Sequence, residues 1–369
     1  MTVSLRVVLD QVIDVVDADV AEASVQLARA LVASAPRGCE VAAVVPAGAE
    51  AAVAETVSPL SGVMRAPLAR TKLATAWQLG IAPGLSSGLI HAPSLMAPLV
   101  RHDRVNENDQ TVVTLWDLCA WEVADALPRN TVAWNRAMLK RAEKYADAVI
   151  VPAHAMADRL VSVAPKLRSR VRVISGAAPL GFAVPSDAVG RRRDLMIPDE
   201  VIVIAGGKCD DAALAAGLSA VASLGEEYAV VLLDIGEGRE PRVQDLAAAA
   251  GLRAEIVHSR GALSAADRAA VLDAAVALVA PSTLTAFPWR VVEAMALGVP
   301  VVAVSSAVHE EVLLDGGAVA DLTDLGEALG NALASEENRR RYAVLSGDRG
   351  KAFSWRDHAD RVWALHAEL

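Results

Sequence analysis

Cysteine is scarce in this chain: Cys39, Cys119 and Cys209 stand far apart with no C-x-x-C spacing. That excludes a disulfide framework and a cysteine zinc site, and it points to a reducing compartment. Lysine is nearly as rare, six against 29 arginines, in an alanine-rich composition of the kind GC-rich coding produces. Phe and Tyr number three each against seven Trp, whose codon is also GC-rich, so the Trp excess is only weak support for sugar stacking. Long apolar runs are missing too. The uncharged stretch containing residues 74–100 is broken by three prolines, three glycines and His91, which excludes a membrane span. The opening MTVSLRVVLD reaches an acid too early for the apolar core of a signal peptide. No repeat of 20–50 residues is visible, so a solenoid is excluded. The expectation is a soluble cytoplasmic protein.

Of the 369 residues, 54% are hydrophobic and 22% charged, enough apolar material for two cores at about 150 residues per domain. The formal charge is −10, yet residues 129–193 hold 13 Arg/Lys against 4 Asp/Glu, a local +9 that leaves −19 for the remainder. Such asymmetry predicts one anion-facing surface on an acidic protein. No aromatic-basic motif accompanies it, so nucleic acid is not the expected partner.

Short β-branched runs alternate with alanine-rich helical stretches. Strands are expected at 5–9, 41–45, 88–91, 111–115, 148–151 and 171–174. A second series follows at 201–205, 230–234, 255–258, 277–280 and 299–304. Helices are expected at 19–35, 131–146, 154–164, 210–224, 264–275, 289–297 and 322–334, with a last one over 354–369 capped by Ser354. Continuous apolar strands alternating with helices predict parallel sheets covered on both faces, and two series predict two doubly wound α/β domains. Residues 175–200 carry three prolines, three glycines and the Arg191–Arg193 triplet without clear periodicity, as a linker would. Ligands of doubly wound sheets bind beyond the carboxyl ends of the strands, so the expected active cleft lies between the domains.

Several segments carry a resemblance. APSTLTAFPWRVVEAMALGVPVVAV (280–304), VRVISGAAPLGF with RRRDLMIPDEVIVIAGG, HAPSLMAPL (91–99), TLWDLCAWEVADALP (114–128), KYADAVIVPAHAMADRL (144–160) and FSW (353–355) resemble, in order, the elements of retaining family-four glycosyltransferases of the GT-B fold. The resemblance implies two Rossmann-like domains facing each other across a cleft. An acceptor-side domain would span 1–180, with helix 354–369 crossing back onto it, and a nucleotide-sugar donor domain would span 181–353. It also implies transfer of a hexose from a nucleotide-diphosphate sugar to a glycan or lipid-linked acceptor of the cell envelope. By the same resemblance, configuration would be retained without an enzyme nucleophile, and neither cofactor nor metal would be needed.

Residue by residue, the resemblance places Glu293 as the second acid of an E-x7-E motif, accepting from the nucleotide ribose, since a carboxylate offers paired acceptors to a vicinal diol. Thr285 stands where the first acid belongs, Ala286, Phe287, Pro288 and Trp289 occupy the sugar-binding turn, and Arg290 is a further substrate-binding candidate. Pro288 has no N–H to give there. Gly206 and Gly207 precede Lys208, the one local base of a diphosphate clamp that takes two in the family, and Arg290 or the 191–193 triplet is a candidate for the second charge. Asp210 and Asp211 read as a helix start. The exit of the first strand, Leu9-Asp10-Gln11, lacks the family's glycines and carries Asp14, Asp17 and Asp19. Trp116-Asp117 replaces a His–Asp pair lining the reacting centre, and His91 matches a loop position. Read alone, Glu293 is a helix-surface acid, Thr285 a loop residue or cap, Asp117 a loop-capping acid and His91 structural. The face formed by Arg136, Lys140 and Lys144 is either solvated or a peripheral contact with anionic membrane. A catalytically degenerate GT-B protein, binding a glycan, a nucleotide or a partner subunit, is the alternative.

Overall fold

A computed structural model describes residues 2–82, 84, 85, 87–225 and 228–369. The chain divides into two compact units, one of residues 1–176, 285–287 and 354–369, the other of 177–284 and 288–353.

The first unit is built on seven parallel strands: β1 (Val3–Val8), β2 (Cys39–Val45), β3 (Gly62–Arg65), β4 (Leu89–Ala92), β5 (Gln110–Thr114), β6 (Ala148–Val151) and β7 (Val171–Val173). They are ordered β3-β2-β1-β4-β5-β6-β7. The inner strands β5 (QTVVT) and β6 (AVIV) are rich in β-branched residues and are buried along their whole length, as strands covered on both faces must be. The order reverses between β1 and β4, the switch point at which ligands of such sheets sit. The helix Trp355–Glu368 belongs to this unit. Ser354 caps it through the N–H groups of Arg356 and Asp357, the Trp363 indole donates to the Leu31 carbonyl at 3.2 Å, and Trp355, Val362 and Leu365 are buried.

The second unit holds six parallel strands: β8 (Val201–Ala205), β9 (Ala229–Leu233), β10 (Val257–Ser259), β11 (Ala275–Ala280), β12 (Val301–Val304) and β13 (Ala318–Ala320). Their order is β10-β9-β8-β11-β12-β13, with its switch point between β8 and β11. Ile202, Ile204, Leu214, Leu218, Leu232 and Val279 form its core with alanines of the covering helices.

Two findings depart from the sequence reading. The 175–200 segment, expected to be a linker, contains the helix Ala188–Asp194. It docks through Arg192, whose guanidinium reaches Asp273 at 2.8 Å, and Arg191, which reaches Asp267 at 2.8 Å. Arg191 and Arg192 are therefore committed to packing the helix Ala265–Asp273, which removes these two as candidates for a phosphate charge. Residues 285–287 group with the first unit rather than with the donor domain in which they were expected. The antiparallel bridge between Asp117 and Ala286 is the reason.

Candidate functional site

At the switch point of the second unit, close backbone approach dictates the residue types. A Cβ on Gly206 would lie 2.7 Å from the Leu233 carbonyl and 2.6 Å from Ile235 Cδ1, and one on Gly207 would lie 3.0 Å from Asp234 Cβ. Only glycine permits the β8 and β9 exits to run this close. Lys208 (φ 55°) and Asp234 (φ 60°) follow in left-handed backbone, two of the five non-glycine residues so placed among those described. Such strain persists where surrounding structure imposes it, and it concentrates at functional sites. The Ser282 hydroxyl donates to the Lys208 carbonyl at 2.9 Å, tying the β8 loop to the β11 loop across the switch point.

The neighbours expected to be a helix start behave as one. Asp210 caps the helix Asp211–Ala222 through the Ala213 N–H. Asp211 is held below the usual carboxylate range by the Arg242 hydrogen bond, and Arg239 binds it as well. Burial pushes the Cys209 thiol up to about 12, so it is inert at neutral pH. Among the described residues no group of three or more His, Cys, Asp or Glu has metal-holding geometry.

Glu293 is not a surface acid. It is 2% exposed and lies on the helix Trp289–Ala296. Arg268 spans its carboxylate, with Nε at 3.0 and 3.1 Å from the two oxygens and Nη2 at 2.7 Å from Oε1. Arg290 Nη1 reaches Oε2 at 2.5 Å, and Arg290 Nε donates to Asp234 Oδ2 at 2.7 Å. Both arginines are buried. A ribose diol would therefore have to compete with two guanidiniums for this carboxylate. Arg268 was missed in the sequence. The signal for it is one charged residue inside the apolar run AADRAAVLD, on the same helical face as Val271 and Leu272.

At the first unit the expected site residues are brought together but closed off. Trp116 is 3% exposed, and its indole N–H donates to the Pro93 carbonyl at 2.8 Å. Its ring is enclosed by Phe287, Trp355 and a stacked His358, with centroids 5.9, 6.2 and 6.1 Å away. That enclosure leaves no face for a pyranose and corrects the stacking role. Gly176 completes it: a Cβ there would meet Phe287 Cε1 at 2.8 Å and Trp116 Cζ3 at 3.0 Å. The turn expected to offer backbone N–H groups to a sugar has spent two of them. Thr285 N–H donates to Glu122 Oε2 at 2.8 Å, and Phe287 N–H donates to the Trp116 carbonyl at 2.9 Å. Asp117 Oδ1 accepts from Cys119 N–H at 3.0 Å, the loop-capping arrangement.

His91 is fully buried on β4, so it is a core residue in this structure and not a loop ligand. Burial lowers its pKa well below the histidine norm, and neighbouring His366 and His358 lower it further. Its ring meets His366 edge-on at 5.7 Å. Burial likewise lowers His358 and His366 to about 4 each. His358 Nδ1 donates to the Ser175 carbonyl and His366 Nδ1 to Gln110 Oε1, both at 2.9 Å. At the β1 exit Asp10 is buried beside Arg70, whose Nε lies 2.9 Å from Oδ2. Burial raises this carboxyl, with Arg70 opposing. Gln11 Oε1 accepts from the Val16 and Asp17 N–H groups and orders the glycine-free loop.

Residues 200–335 match the family described as glycosyl transferases group 1. No curated protein matches the sequence. Among solved structures, the sucrose-phosphate synthase of Thermosynechococcus elongatus is 20% identical, with TM-score 0.70 over 99% of this chain and 98% of that one. Anabaena HepE in complex with UDP-glucose is 15% identical, with TM-score 0.71 over 99% and 100%. WaaG, a glycosyltransferase involved in lipopolysaccharide biosynthesis, is 15% identical, with TM-score 0.68 over 98% of each chain. The chain shares the GT-B fold of these structures, as the sequence resemblance implied, and its residues 200–335 match the group 1 glycosyltransferase family.

Proposed function

We propose that the protein is a glycosyltransferase that moves a hexose from a nucleotide-diphosphate sugar to a glycan or lipid-linked acceptor with retention of configuration. The observation that carries this reading is the second unit's switch point. The Gly206-Gly207 turn, strained Lys208 and the Arg290–Glu293 helix start converge there, inside the segment that matches group 1 glycosyltransferases. Complexes of Anabaena HepE with UDP and with UDP-glucose support a donor of this class. In the reaction the anomeric C–O bond to the diphosphate breaks and a C–O bond to the acceptor hydroxyl forms on the same face. The hydroxyl proton passes to the departing phosphate. The protein's task is then to stabilise charge developing on that phosphate, for which a cation at Lys208 and nearby backbone N–H groups are suited. Trp116 would act here as a buried support for Asp117 and the 285–287 turn. Scoring transfer and donor hydrolysis with a panel of nucleotide sugars tests the reading, and donor-dependent release of nucleoside diphosphate is expected.

The enclosure of Trp116 and His91 favours a second reading, a GT-B protein that binds a nucleotide sugar or glycan without transferring it. Binding without release of nucleoside diphosphate in the same assay would select it.

Peripheral contact with an anionic membrane belongs to the first reading. Arg136, Lys140 and Lys144 are exposed along one face of the helix Arg129–Tyr145. Leu79 (69% exposed) and Ile81 (55%) flank Gly80, which lies against Arg141 of that helix. A row of exposed basic side chains suits an acidic lipid surface. No described helix is long and apolar enough to cross a membrane. Co-sedimentation with phosphatidylserine vesicles, lost in salt, is the expected result.

A further inference from the structure

The acceptor capacity of Glu293 is nearly spent. A carboxylate offers about four lone-pair sites. Arg268 Nε bridges both oxygens, Arg268 Nη2 takes Oε1 again and Arg290 Nη1 takes Oε2. Holding a diol as well would require breaking a charge-assisted bond inside a buried cluster, where an unmatched guanidinium is costly. Arg290 has the opposite character. It is a cation at the start of a helix, pointed by Glu293 on one side toward Asp234 on the other. Asp234 is the most exposed member of the cluster, with a fifth of its side chain accessible. It stands beside Gly207, in the turn that presents Lys208.

We infer that Arg290 is the second cation of the phosphate subsite, that Glu293 and Arg268 position it rather than touch the ribose, and that Asp234 sits where a phosphate oxygen would bind it. This rests on the donor reading above, whose phosphate clamp otherwise has Lys208 alone. The cluster holds two guanidiniums and two carboxylates, so its own charge is balanced. A diphosphate that displaces the Asp234 carboxylate from Arg290 Nε converts an internal ion pair into a ligand contact. The guanidinium fork suits this exchange, since a carboxylate and a tetrahedral phosphate can each turn two oxygens toward its N–H groups.

The test is calorimetric titration of parent and variants with UDP, GDP, ADP, the three nucleosides and inorganic pyrophosphate, each variant checked for folding by circular dichroism. Arg290→Met is expected to weaken diphosphate and pyrophosphate binding at least tenfold while nucleoside affinity stays within twofold. Asp234→Asn is expected to strengthen diphosphate binding severalfold. Glu293→Gln should follow Arg290→Met, losing phosphate affinity and keeping nucleoside affinity. Should Glu293→Gln fail to fold, Arg290→Met and Asp234→Asn carry the decision alone. Unchanged pyrophosphate and diphosphate affinity in Arg290→Met overturns the assignment, and so does an equal loss of nucleoside and diphosphate in Glu293→Gln. Parent protein that binds no diphosphate at all overturns the donor reading itself.

Discussion

The two sheets reverse their strand order in the same way, between β1 and β4 in the first unit and between β8 and β11 in the second, yet the reversals hold different chemistry. In the first unit a buried carboxyl with a raised pKa, Asp10, is matched by one arginine, and three histidines are kept neutral in the core. In the second unit two buried arginines share hydrogen bonds with Glu293, and the network ends at the more exposed Asp234. The difference teaches that a common topology sets where a site is placed but not what it binds. On the proposed reading the second unit's switch point meets an anion, while the first unit keeps Asp10, His91, His358 and His366 buried.

The comparison breaks most sharply at Glu293. Glu293→Ala leaves two buried guanidiniums facing one remaining carboxylate and is expected to destabilise the protein by about 3–5 kcal/mol in denaturant titrations. Arg70→Met in the first unit should cost less at pH 5 than at pH 8, because the orphaned Asp10 carboxyl, already raised by burial, can take a proton.

Acid should act next. His358 and His366 have folded pKa values of about 4, below the unfolded value, so the unfolded chain binds their protons first. Their contribution is complete above about pH 6.5 and falls by about 1.4 kcal/mol per pH unit per histidine toward pH 4. His91 moves in the same direction. Asp147 near His366 and Asp357 near His358 oppose the shift, and Arg361 adds to it at His358. His102, raised by its hydrogen bond to Asp147, works the other way: its contribution is complete at acid pH and is lost as pH rises through its folded value. Among these histidines three shifts against one, joined by the lowered Asp103 and Asp147 and opposed by the raised Asp10, predict net acid destabilisation of the first unit, read by fluorescence of Trp116, Trp355 and Trp363.

Smaller effects sharpen the picture. Gly206→Ala, which drives a methyl against the Leu233 carbonyl, should cost about 1–3 kcal/mol in thermal unfolding. Replacing Arg136, Lys140 and Lys144 together by Ala should change stability by less than about 0.5 kcal/mol per site while reducing binding to acidic vesicles.

The central strands were legible because continuous β-branched sequence has no other stable home than a sheet covered on both faces. The edges were not. β3 carries Gly62 and Arg65 in four residues and β13 is three residues long, so neither shows an apolar run. The helix Ala188–Asp194 escaped because its contact with the sheet unit is made by arginines rather than by an apolar stripe. At the second unit's switch point the placing of Gly206, Gly207, Lys208, Arg290 and Glu293 was legible from the sequence. The partners were not, because Arg268 lies 25 residues before Glu293 and meets it only through packing of two helices. The left-handed turn at Asp234 has no sequence signal, since an acid at a strand end is ordinary. The closing of Trp116 depends on Phe287, Trp355 and His358, which come from distant parts of the chain.

The most direct test of the account is the affinity of the intact protein for a nucleoside diphosphate compared with its nucleoside, measured by calorimetry in parent and Arg290→Met. The account predicts that the diphosphate binds more tightly in the parent and that Arg290→Met removes at least tenfold of that advantage. A parent protein that binds nucleoside and diphosphate equally, or a variant that keeps the full advantage, would contradict it.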